Sequence, residues 1–240
     1  MKGIILAGGS ATRLRPLTWV TSKQLLPVYN KPMIYYPIET LVKAGITEIL
    51  VIVSPEFAGH YLNLLGTGKD FGAHFSFVVQ PNPGGLAEAF LYGKDFVDDD
   101  DVTLILGDNI FDHDFSSQIK NFKGGAKIYA KEVHDPERYG VVEFDEKMNA
   151  LSIEEKPKKP KSNYAVVGLY TYDNRVVKFV ENQKRSERGE LEITDLNNIY
   201  LKKGELSVDV IEGIWEDAGT FDSLLRAANL MAEKAKKKGK

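Results

Sequence analysis

The chain opens with a short apolar segment that runs straight into a pair of glycines. Residues 2–7 read KGIILA and are followed at once by Gly8 and Gly9. A continuous apolar run of this length is typical of a strand that is buried on both faces of a parallel sheet. Open sheets of that kind bind ligands at the carboxyl ends of their strands, where glycines let the backbone approach closely. The feature therefore favours an α/β fold with a binding site directly after the first strand.

The alternation of strand and helix patterns continues through the first half of the chain. Further strands are predicted over 48–53, 75–80 and 102–106. Helices are predicted over 32–44, over 54–66 with Ser54 as the cap, and from 85 to 93. Apolar strands separated by helices predict a mostly parallel central sheet that is flanked by helices on both faces.

The second half of the chain has a different pattern, with strands that follow one another closely. They are predicted over 126–133, 140–144, 151–154 and 164–172. Helices are predicted from Asp173 to about 183, over 194–202, and from Thr220, as the cap, through about 221–236. We interpret this half as a mixed or antiparallel region that shares one core with the parallel sheet.

Charge and composition exclude several classes of function. The net charge of −3 offers no basic excess for a sequence-independent grip on DNA or RNA. The absence of cysteine excludes disulfides, thiolate nucleophiles and cysteine-ligated metals. The apolar run at the N-terminus is too short for the core of a signal peptide, and no stretch approaches the roughly 20 apolar residues of a membrane span. We therefore expect a cytoplasmic protein that binds neither nucleic acid nor membrane.

The loop after the first strand has the composition of a phosphate-binding loop. It contains Gly8, Gly9, Ala11, Thr12 and Arg13. Successive backbone N–H groups can surround an anion, and an arginine can hold two phosphate oxygens at once. The Gly-Lys-Ser/Thr ending of a P-loop is missing. The G-x-G-x-x-G fingerprint is missing as well, which argues against a dinucleotide-dependent oxidoreductase. From these residues alone, an ordinary glycine-rich turn remains an alternative.

Three neighbouring segments make the loop more specific. They read LAGGSATRL at 6–14, SKQLLP at 22–27 and KPMIYYP at 31–37. Together they resemble the sugar-phosphate nucleotidyltransferase family, and most of all its short members that act on glucose 1-phosphate and dTTP. Ala11 departs from the family pattern, which usually has glycine there. If the backbone at this position is left-handed, alanine costs about 1 kcal/mol.

The resemblance implies one Rossmann-like nucleotidyltransferase domain over residues 1–240, without division into independent domains. Residues of about 1–110 would mainly bind the nucleotide, and those of about 111–220 mainly the sugar phosphate. The expected substrates are dTTP and glucose 1-phosphate, and the resemblance is compatible with a homo-oligomer. UTP or another sugar 1-phosphate stays an alternative, because a pocket discriminates one methyl group by only about 1–3 kcal/mol. A catalytically silent binding subunit is a further alternative.

Two aspartates are implied as ligands of a catalytic Mg²⁺. Asp108 follows the strand predicted over 102–106, and Asp217 stands two residues after Trp215 in a segment that resembles the family's Trp-x-Asp-x-Gly-Thr signature. Two carboxylates together with substrate phosphates suit Mg²⁺. Residues in either position are often plain turn or cap residues, and Glu216 is a competing ligand.

The remaining site residues are also implied by the resemblance. Four of them would carry catalysis: Arg13, Lys23, Asp108 and Asp217. The nucleotide would be bound by Gly8, Gly9, Ala11, Thr12, Arg13, Lys23, Gln24, Gln80 and Gly85. The sugar phosphate would be bound by Asn109, Gly140, Glu155, Lys156, Val166, Tyr170 and Arg188. By composition alone, Tyr170 would be a core residue, and the Glu-Glu-Lys-Pro stretch around Glu155 a solvated strand end.

Overall fold

The computed structural model describes residues 1–9 and 11–238. The strands in this part of the chain are β1 (Lys2–Ala7), β2 (Pro27–Val28), β3 (Lys31–Pro32), β4 (Glu48–Val53), β5 (His74–Val79), β6 (Val102–Leu106), β7 (Asn109–Phe111), β8 (Ala126–Glu132), β9 (Gly140–Phe144), β10 (Ala150–Glu155), β11 (Tyr164–Tyr172), β12 (Leu206–Val210) and β13 (Trp215–Asp217). The α-helices are α1 (Tyr35–Lys43), α2 (Ala58–Leu65), α3 (Ala89–Tyr92), α4 (Lys94–Val97), α5 (Ser116–Lys120), α6 (Arg175–Glu181), α7 (Ile193–Lys202) and α8 (Phe221–Lys238).

Within the described residues, nine strands form one sheet. Its main path runs β12-β8-β11-β6-β1-β4-β5, and β9 and β10 extend from the first half of β11. Along the main path only β11 is antiparallel to its neighbours β6 and β8, whereas β1, β4, β5 and β6 are parallel. The predicted α/β fold with a mostly parallel sheet and a mixed second half is therefore confirmed.

The apolar strands are continuous because the sheet is covered on both faces. Ile4 and Ile5 are adjacent on β1 and both fully buried, yet they belong to different core clusters on opposite faces. Leu104 and Ile105 on β6 divide in the same way. The strands predicted at 2–7, 48–53 and 102–106 consequently have the predicted bounds. No helix in the described part of the chain is long and apolar enough to cross a membrane.

Several predicted boundaries are wrong for local reasons. Helix α1 begins at Tyr35 instead of 32, because residues 31–32 pair with 27–28 in a short hairpin. Ser54 makes no side-chain cap, and Pro55 begins a 3₁₀ turn before α2. The cap at Thr220 is confirmed, since its Oγ1 accepts the backbone N–H of Ser223 at 3.2 Å. In addition, strands β7, β12 and β13 were not predicted from the sequence.

Candidate active site

The loops that follow β1 and β6 meet at one edge of the sheet. The two strands are parallel neighbours, so Gly8 and Asp108 leave the sheet on the same side. The backbone N–H of Gly107 donates to the carbonyl of Leu6 at 3.0 Å, which extends the pairing to the edge itself. A Cβ at 107 would lie 3.0 Å from the Leu6 carbonyl oxygen, so the close approach of the two loops favours glycine there. The predicted phosphate loop and the first predicted metal ligand are thus adjacent.

Asp108 forms a largely buried ion pair with Lys23. The Lys23 Nζ contacts Asp108 Oδ2, and the two side chains are only 16% and 12% exposed. Asn109 Nδ2 donates to the other carboxylate oxygen, Oδ1, at 3.1 Å. Burial alone would raise the pKa of Asp108, but the Lys23 ammonium and the hydrogen bonds hold it below its ordinary value. Asp108 is therefore an ionised acceptor at neutral pH.

Asn109 joins three parts of the chain at the site. Its Oδ1 accepts the indole N–H of Trp215 at 2.7 Å and the backbone N–H of Gly168 at 3.1 Å. A Cβ at 168 would lie 2.6 Å from that oxygen, so β11 can approach Asn109 only with glycine there. The sequence predicted that Asn109 binds the sugar phosphate. Its contact with Trp215 also ties β13, which carries Asp217, to the segment that carries Asp108.

Asp217 is brought to the site by the pairing of β13 with β7. In this pair Asp217 lies opposite Asn109, and the next backbone N–H, of Ala218, donates to the carbonyl of Asp108 at 3.0 Å. Asp217 Oδ1 is buried without a hydrogen-bond partner among the described residues. Burial and the neighbouring charge of Asp108 raise the pKa of Asp217 from 3.8 to about 6, against the opposing effect of Lys23 and Arg13. The pairing therefore brings a second buried carboxylate, with one unsatisfied oxygen, close to Asp108.

Arg13 completes the cluster from the phosphate loop. A Cβ at Gly219 would lie 2.8 Å from Arg13 Nη2 and 2.9 Å from Asp217 Oδ1, so both side chains lie against this glycine. Arg13 itself is exposed on a 3₁₀ turn at Thr12–Leu14. The structure thus brings together all four residues predicted to be catalytic: Arg13, Lys23, Asp108 and Asp217.

The two aspartates fit a hard divalent cation. Hard cations such as Mg²⁺ take oxygen ligands, and Mg²⁺ in particular is usually held by one or two carboxylates plus substrate phosphates. The unpartnered Oδ1 of Asp217 is an acceptor that lacks a donor or a cation. No group of three or more histidine, aspartate or glutamate side chains that could hold a metal occurs in residues 1–9 and 11–238, so the protein would supply this pair of carboxylates only.

Six of the seven predicted sugar-phosphate residues line a cavity of about 240 Å³. Its wall includes Asn109, Gly140, Glu155, Lys156, Val166 and Tyr170, and Arg13 and Asp217 line the same space. Glu155 is held there because Thr194 Oγ1 donates to its Oε2 at 2.8 Å. Thr194 and Trp215 also line the cavity, although neither was among the predicted site residues.

Lys156 reaches this cavity through an uncommon backbone conformation. Its φ is +46°, in the left-handed region, at the point where the chain leaves β10. Its backbone N–H donates to the carbonyl of Tyr139 at 3.0 Å, and its Nζ lies 3.6 Å from Glu155 Oε1. A non-glycine residue held in this way is typical of functional sites, where surrounding contacts enforce the strain.

Arg188 lies apart from the cavity that holds the other sugar-phosphate candidates. It lines a second cavity of about 300 Å³ together with Gly8, Gly9, Gln80 and Gly85. Glu155 and Lys156 line both cavities, so they form the boundary between them. Arg188 is 57% exposed and pairs with Glu192 Oε1 at 2.9 Å.

The two glutamines predicted to bind the nucleotide have different surroundings. Gln80 is buried and lines the second cavity. Gln24 is buried behind the loop: its Oε1 accepts from Ser22 Oγ at 2.7 Å and Tyr61 Oη at 3.2 Å, and its Nε2 donates to the Gly8 carbonyl at 3.5 Å. These contacts give Gln24 a place in supporting the loop, and its contact with the base stays a prediction.

Ala11 has a left-handed backbone, with φ of 43° and ψ of 39°. We expect Ala11→Gly to raise the free energy of unfolding by about 1 kcal/mol, because glycine adopts this conformation without steric penalty. The matched control is Ala58, whose φ of −54° is right-handed; Ala58→Gly should lower stability by about 1 kcal/mol. Urea unfolding measures both changes, and a destabilised Ala11→Gly variant would contradict the prediction.

The raised pKa of Asp217 predicts a pH-dependent stability of the metal-free protein. The pKa of Asp217 is about 6 in the folded state and near 3.8 in the unfolded state. Between about pH 4 and pH 6 the folded state therefore carries more bound protons than the unfolded state. Stability should therefore fall as pH rises from about 4 through about 6, by on the order of 2 kcal/mol. Asp217→Asn should remove this part of the dependence. Urea unfolding in EDTA across this range tests the difference, and parallel curves for the two proteins would refute it.

Comparisons with known proteins agree with this geometry. The model of the family described as nucleotidyl transferase matches residues 2–234. A glucose-1-phosphate thymidylyltransferase of Neisseria meningitidis is 55% identical over 96% of this chain and 82% of its own length. Its counterpart in Mycobacterium tuberculosis is 50% identical over 100% of this chain and 85% of its own.

Solved structures are similar over almost the whole chain. A crystal structure from Bacillus anthracis, assigned provisionally as a glucose-1-phosphate thymidylyltransferase and complexed with sucrose, has a TM-score of 0.91 at 48% identity. The match covers 96% of this chain and 94% of that one. A UDP-glucose pyrophosphorylase complexed with UDP-glucose shares the fold, with a TM-score of 0.84 at 24% identity over 97% and 98% of the two chains.

Proposed function

The chain belongs to the nucleotidyl transferase family, and we propose that it joins glucose 1-phosphate to dTTP, which gives dTDP-glucose and pyrophosphate. Relatives that bear the name glucose-1-phosphate thymidylyltransferase at 50% and 55% identity support this assignment. The structural observation that carries it is the cluster of Lys23, Asp108, Asp217 and Arg13 beside the first cavity, whose wall includes Arg13 and Asp217.

The reaction is an in-line displacement at the α-phosphorus of the nucleotide. A phosphate oxygen of glucose 1-phosphate forms the new O–P bond, and the bond to the bridging oxygen of the β-phosphate breaks. The attacking phosphate carries nearly two negative charges at neutral pH, since its second pKa is about 6. A general base is therefore unnecessary. The barrier is the approach of two polyanions, so positioning and charge neutralisation are the main contributions of the protein.

The residues of the cluster have complementary tasks in this scheme. Arg13 would hold the triphosphate and the departing pyrophosphate, and Lys23 would contact the α-phosphate, where charge develops. Asp108 and Asp217 would hold Mg²⁺, which when bound neutralises charge on the reacting phosphates. The buried, unpartnered Oδ1 of Asp217 supports this part of the proposal.

The wall between the cavities would position the sugar phosphate. Glu155, fixed by Thr194, would accept hydrogen bonds from sugar hydroxyls. Lys156 lines both cavities and would hold the attacking phosphate at their boundary. Arg188 lines only the second cavity, and we propose that it reaches the same phosphate from that side.

Pyrophosphate release is the direct test. The protein would be incubated with each of several nucleoside triphosphates and sugar 1-phosphates, with Mg²⁺ and with EDTA. Release that requires Mg²⁺, dTTP and glucose 1-phosphate together is expected. Preference for UTP or another sugar would correct the substrates and keep the reaction. Absence of release with every pair would overturn the proposal in favour of a silent binding subunit.

A further inference from the structure

Gln80 is held at one end by a buried carboxylate. Its Nε2 donates to Glu88 Oε2 at 2.7 Å, and the two residues are only 5% and 8% exposed. The other end of the amide, Oε1, lies on the side of Gly8, since a Cβ added to Gly8 would be 3.2 Å from it. Gly8 and Gln80 line the same cavity of about 300 Å³. The carbonyl oxygen of Gln80 is thus the end of the amide nearest the phosphate loop.

Glu88 is itself fixed from both sides. Arg185 Nη2 donates to its Oε1 at 2.7 Å, which leaves Oε2 for Gln80. The carboxylate also packs directly on Gly84, where a Cβ would lie 2.2 to 2.4 Å from its atoms. Arg185 Nη1 donates to the carbonyl oxygens of Gly84 at 3.2 Å and Gly189 at 2.9 Å. Both oxygens of the carboxylate therefore have defined partners.

The surrounding backbone keeps this arrangement in place. Leu191 donates to the Gly84 carbonyl at 2.7 Å, and Ala87 donates to the Leu191 carbonyl at 3.1 Å. Gly85 has a φ of +101°, and a Cβ there would lie 2.3 Å from the Leu191 carbonyl oxygen. The segment that carries Glu88 is therefore joined to the segment that carries Arg185 by backbone contacts as well as by the ion pair.

The chemistry of the two partners decides the orientation of the amide. A glutamine amide can rotate by half a turn and exchange a donor for an acceptor at nearly the same shape. A carboxylate only accepts hydrogen bonds, so Glu88 allows Gln80 only the orientation in which its NH₂ faces Glu88. A neutral partner such as glutamine would accept either orientation.

We propose that Glu88 is a positioning residue, which fixes the Gln80 carbonyl oxygen towards the second cavity, where the base of the nucleotide would bind. In this way Glu88 selects pyrimidines whose ring N3 carries a hydrogen. The proposal deepens the proposed function and rests on it. Thymine and uracil donate from N3, whereas N3 of cytosine is an acceptor and would face the Gln80 oxygen unpaired. Arg185 acts through Glu88 by holding its second oxygen. The fixed Gln80 carbonyl oxygen would therefore discriminate against cytosine nucleotides as substrates.

Glu88→Gln tests this role with almost no change in shape. The kcat/KM for dTTP and for dCTP would be measured with glucose 1-phosphate, and their ratio compared with that of the wild type. A site that hydrogen-bonds a ligand rejects an analogue that lacks the matching group, so we expect the ratio to fall by about tenfold or more. The loss with dTTP should appear mainly in KM. A purely structural role would lower both activities together and leave the ratio unchanged.

Two further variants make the result decisive. Glu205→Gln changes a remote Arg–Glu pair, in which Arg175 Nη2 lies 2.7 Å from Glu205 Oε2, and should keep the wild-type ratio. Arg185→Gln should lower the ratio less than Glu88→Gln, because Gln80 keeps its carboxylate partner. An unchanged ratio in Glu88→Gln that melts as cooperatively as the wild type overturns the proposal. If that variant does not fold, an unchanged ratio in Arg185→Gln overturns it.

Failure of the proposed function gives a different result. If the wild type prefers UTP, the same comparison is made between UTP and CTP, and the role of Glu88 is judged on that ratio. If the wild type has no turnover, calorimetric binding of dTTP and dCTP to the same variants supplies the ratio without catalysis. Equal discrimination by wild type and Glu88→Gln in that measurement would also overturn the proposal.

Discussion

Lys23→Ala is expected to reduce turnover by about a thousandfold. Removal of a preorganised group that stabilises charge in the transition state typically has an effect of that size. The change also leaves Asp108 buried beside Asp217 without its cation, so stability should fall by about 3 kcal/mol. Initial rates of pyrophosphate release and urea unfolding measure the two effects.

Lys127 provides a matched control for this substitution. It forms an ion pair with Asp209 at 2.8 Å between β8 and β12, and its side chain is 16% exposed, the same fraction as that of Lys23. Lys127→Ala should lower stability but keep nearly all of the turnover. If Lys23→Ala retained a tenth or more of the wild-type rate, Lys23 would have no place in the catalytic cluster.

Asp108→Asn is the second change with a large expected effect. The amide keeps the shape of the side chain but loses the charge that would bind Mg²⁺. We expect kcat to fall by about a thousandfold and the Mg²⁺ concentration at half-maximal rate to rise by about tenfold or more. The measurement is a Mg²⁺ titration of pyrophosphate release at saturating substrates.

Asp209→Asn is the control for the metal titration. It makes the same chemical change in the Lys127–Asp209 pair, and neither of these residues lines the first or the second cavity. Its titration should superimpose on that of the wild type. A normal titration in Asp108→Asn would remove Asp108 from the proposed metal site. The competing ligand Glu216 has both carboxylate oxygens paired with Arg226, at 2.7 and 2.9 Å.

The sequence predicted the parts of the fold that depend on local pattern. Strands buried on both faces, such as Lys2–Ala7 and Glu48–Val53, have continuous apolar runs with clear ends, and their bounds were correct. Strands β7, β12 and β13 are short or alternate in burial, and their conformation depends on partners far along the chain. Their pairing is a tertiary effect that no local pattern reports.

The same distinction applies to the candidate site. Gly8 and Asp108 each follow a predicted apolar strand, and the parallel pairing of these strands brings both to one edge of the sheet. The contact of Trp215 with Asn109 could not be predicted, because it depends on the β7–β13 pair. Likewise, the burial of Gln24 under the loop and the position of Arg188 in the second cavity follow from packing, and their roles stay predictions, as does a homo-oligomer.

The antiparallel strand β11 has a consequence for biosynthesis. Strand β6 pairs with β1 on one side, and its other edge is covered only when residues 169–172 of β11 arrive. During translation, the first sheet strands therefore leave the ribosome with one edge of β6 unpaired for more than sixty further residues, counted from 106 to 169. An open edge of this kind pairs readily with other chains. We expect fragments that stop before β11 to aggregate, and the nascent protein to depend on chaperones until that strand is made.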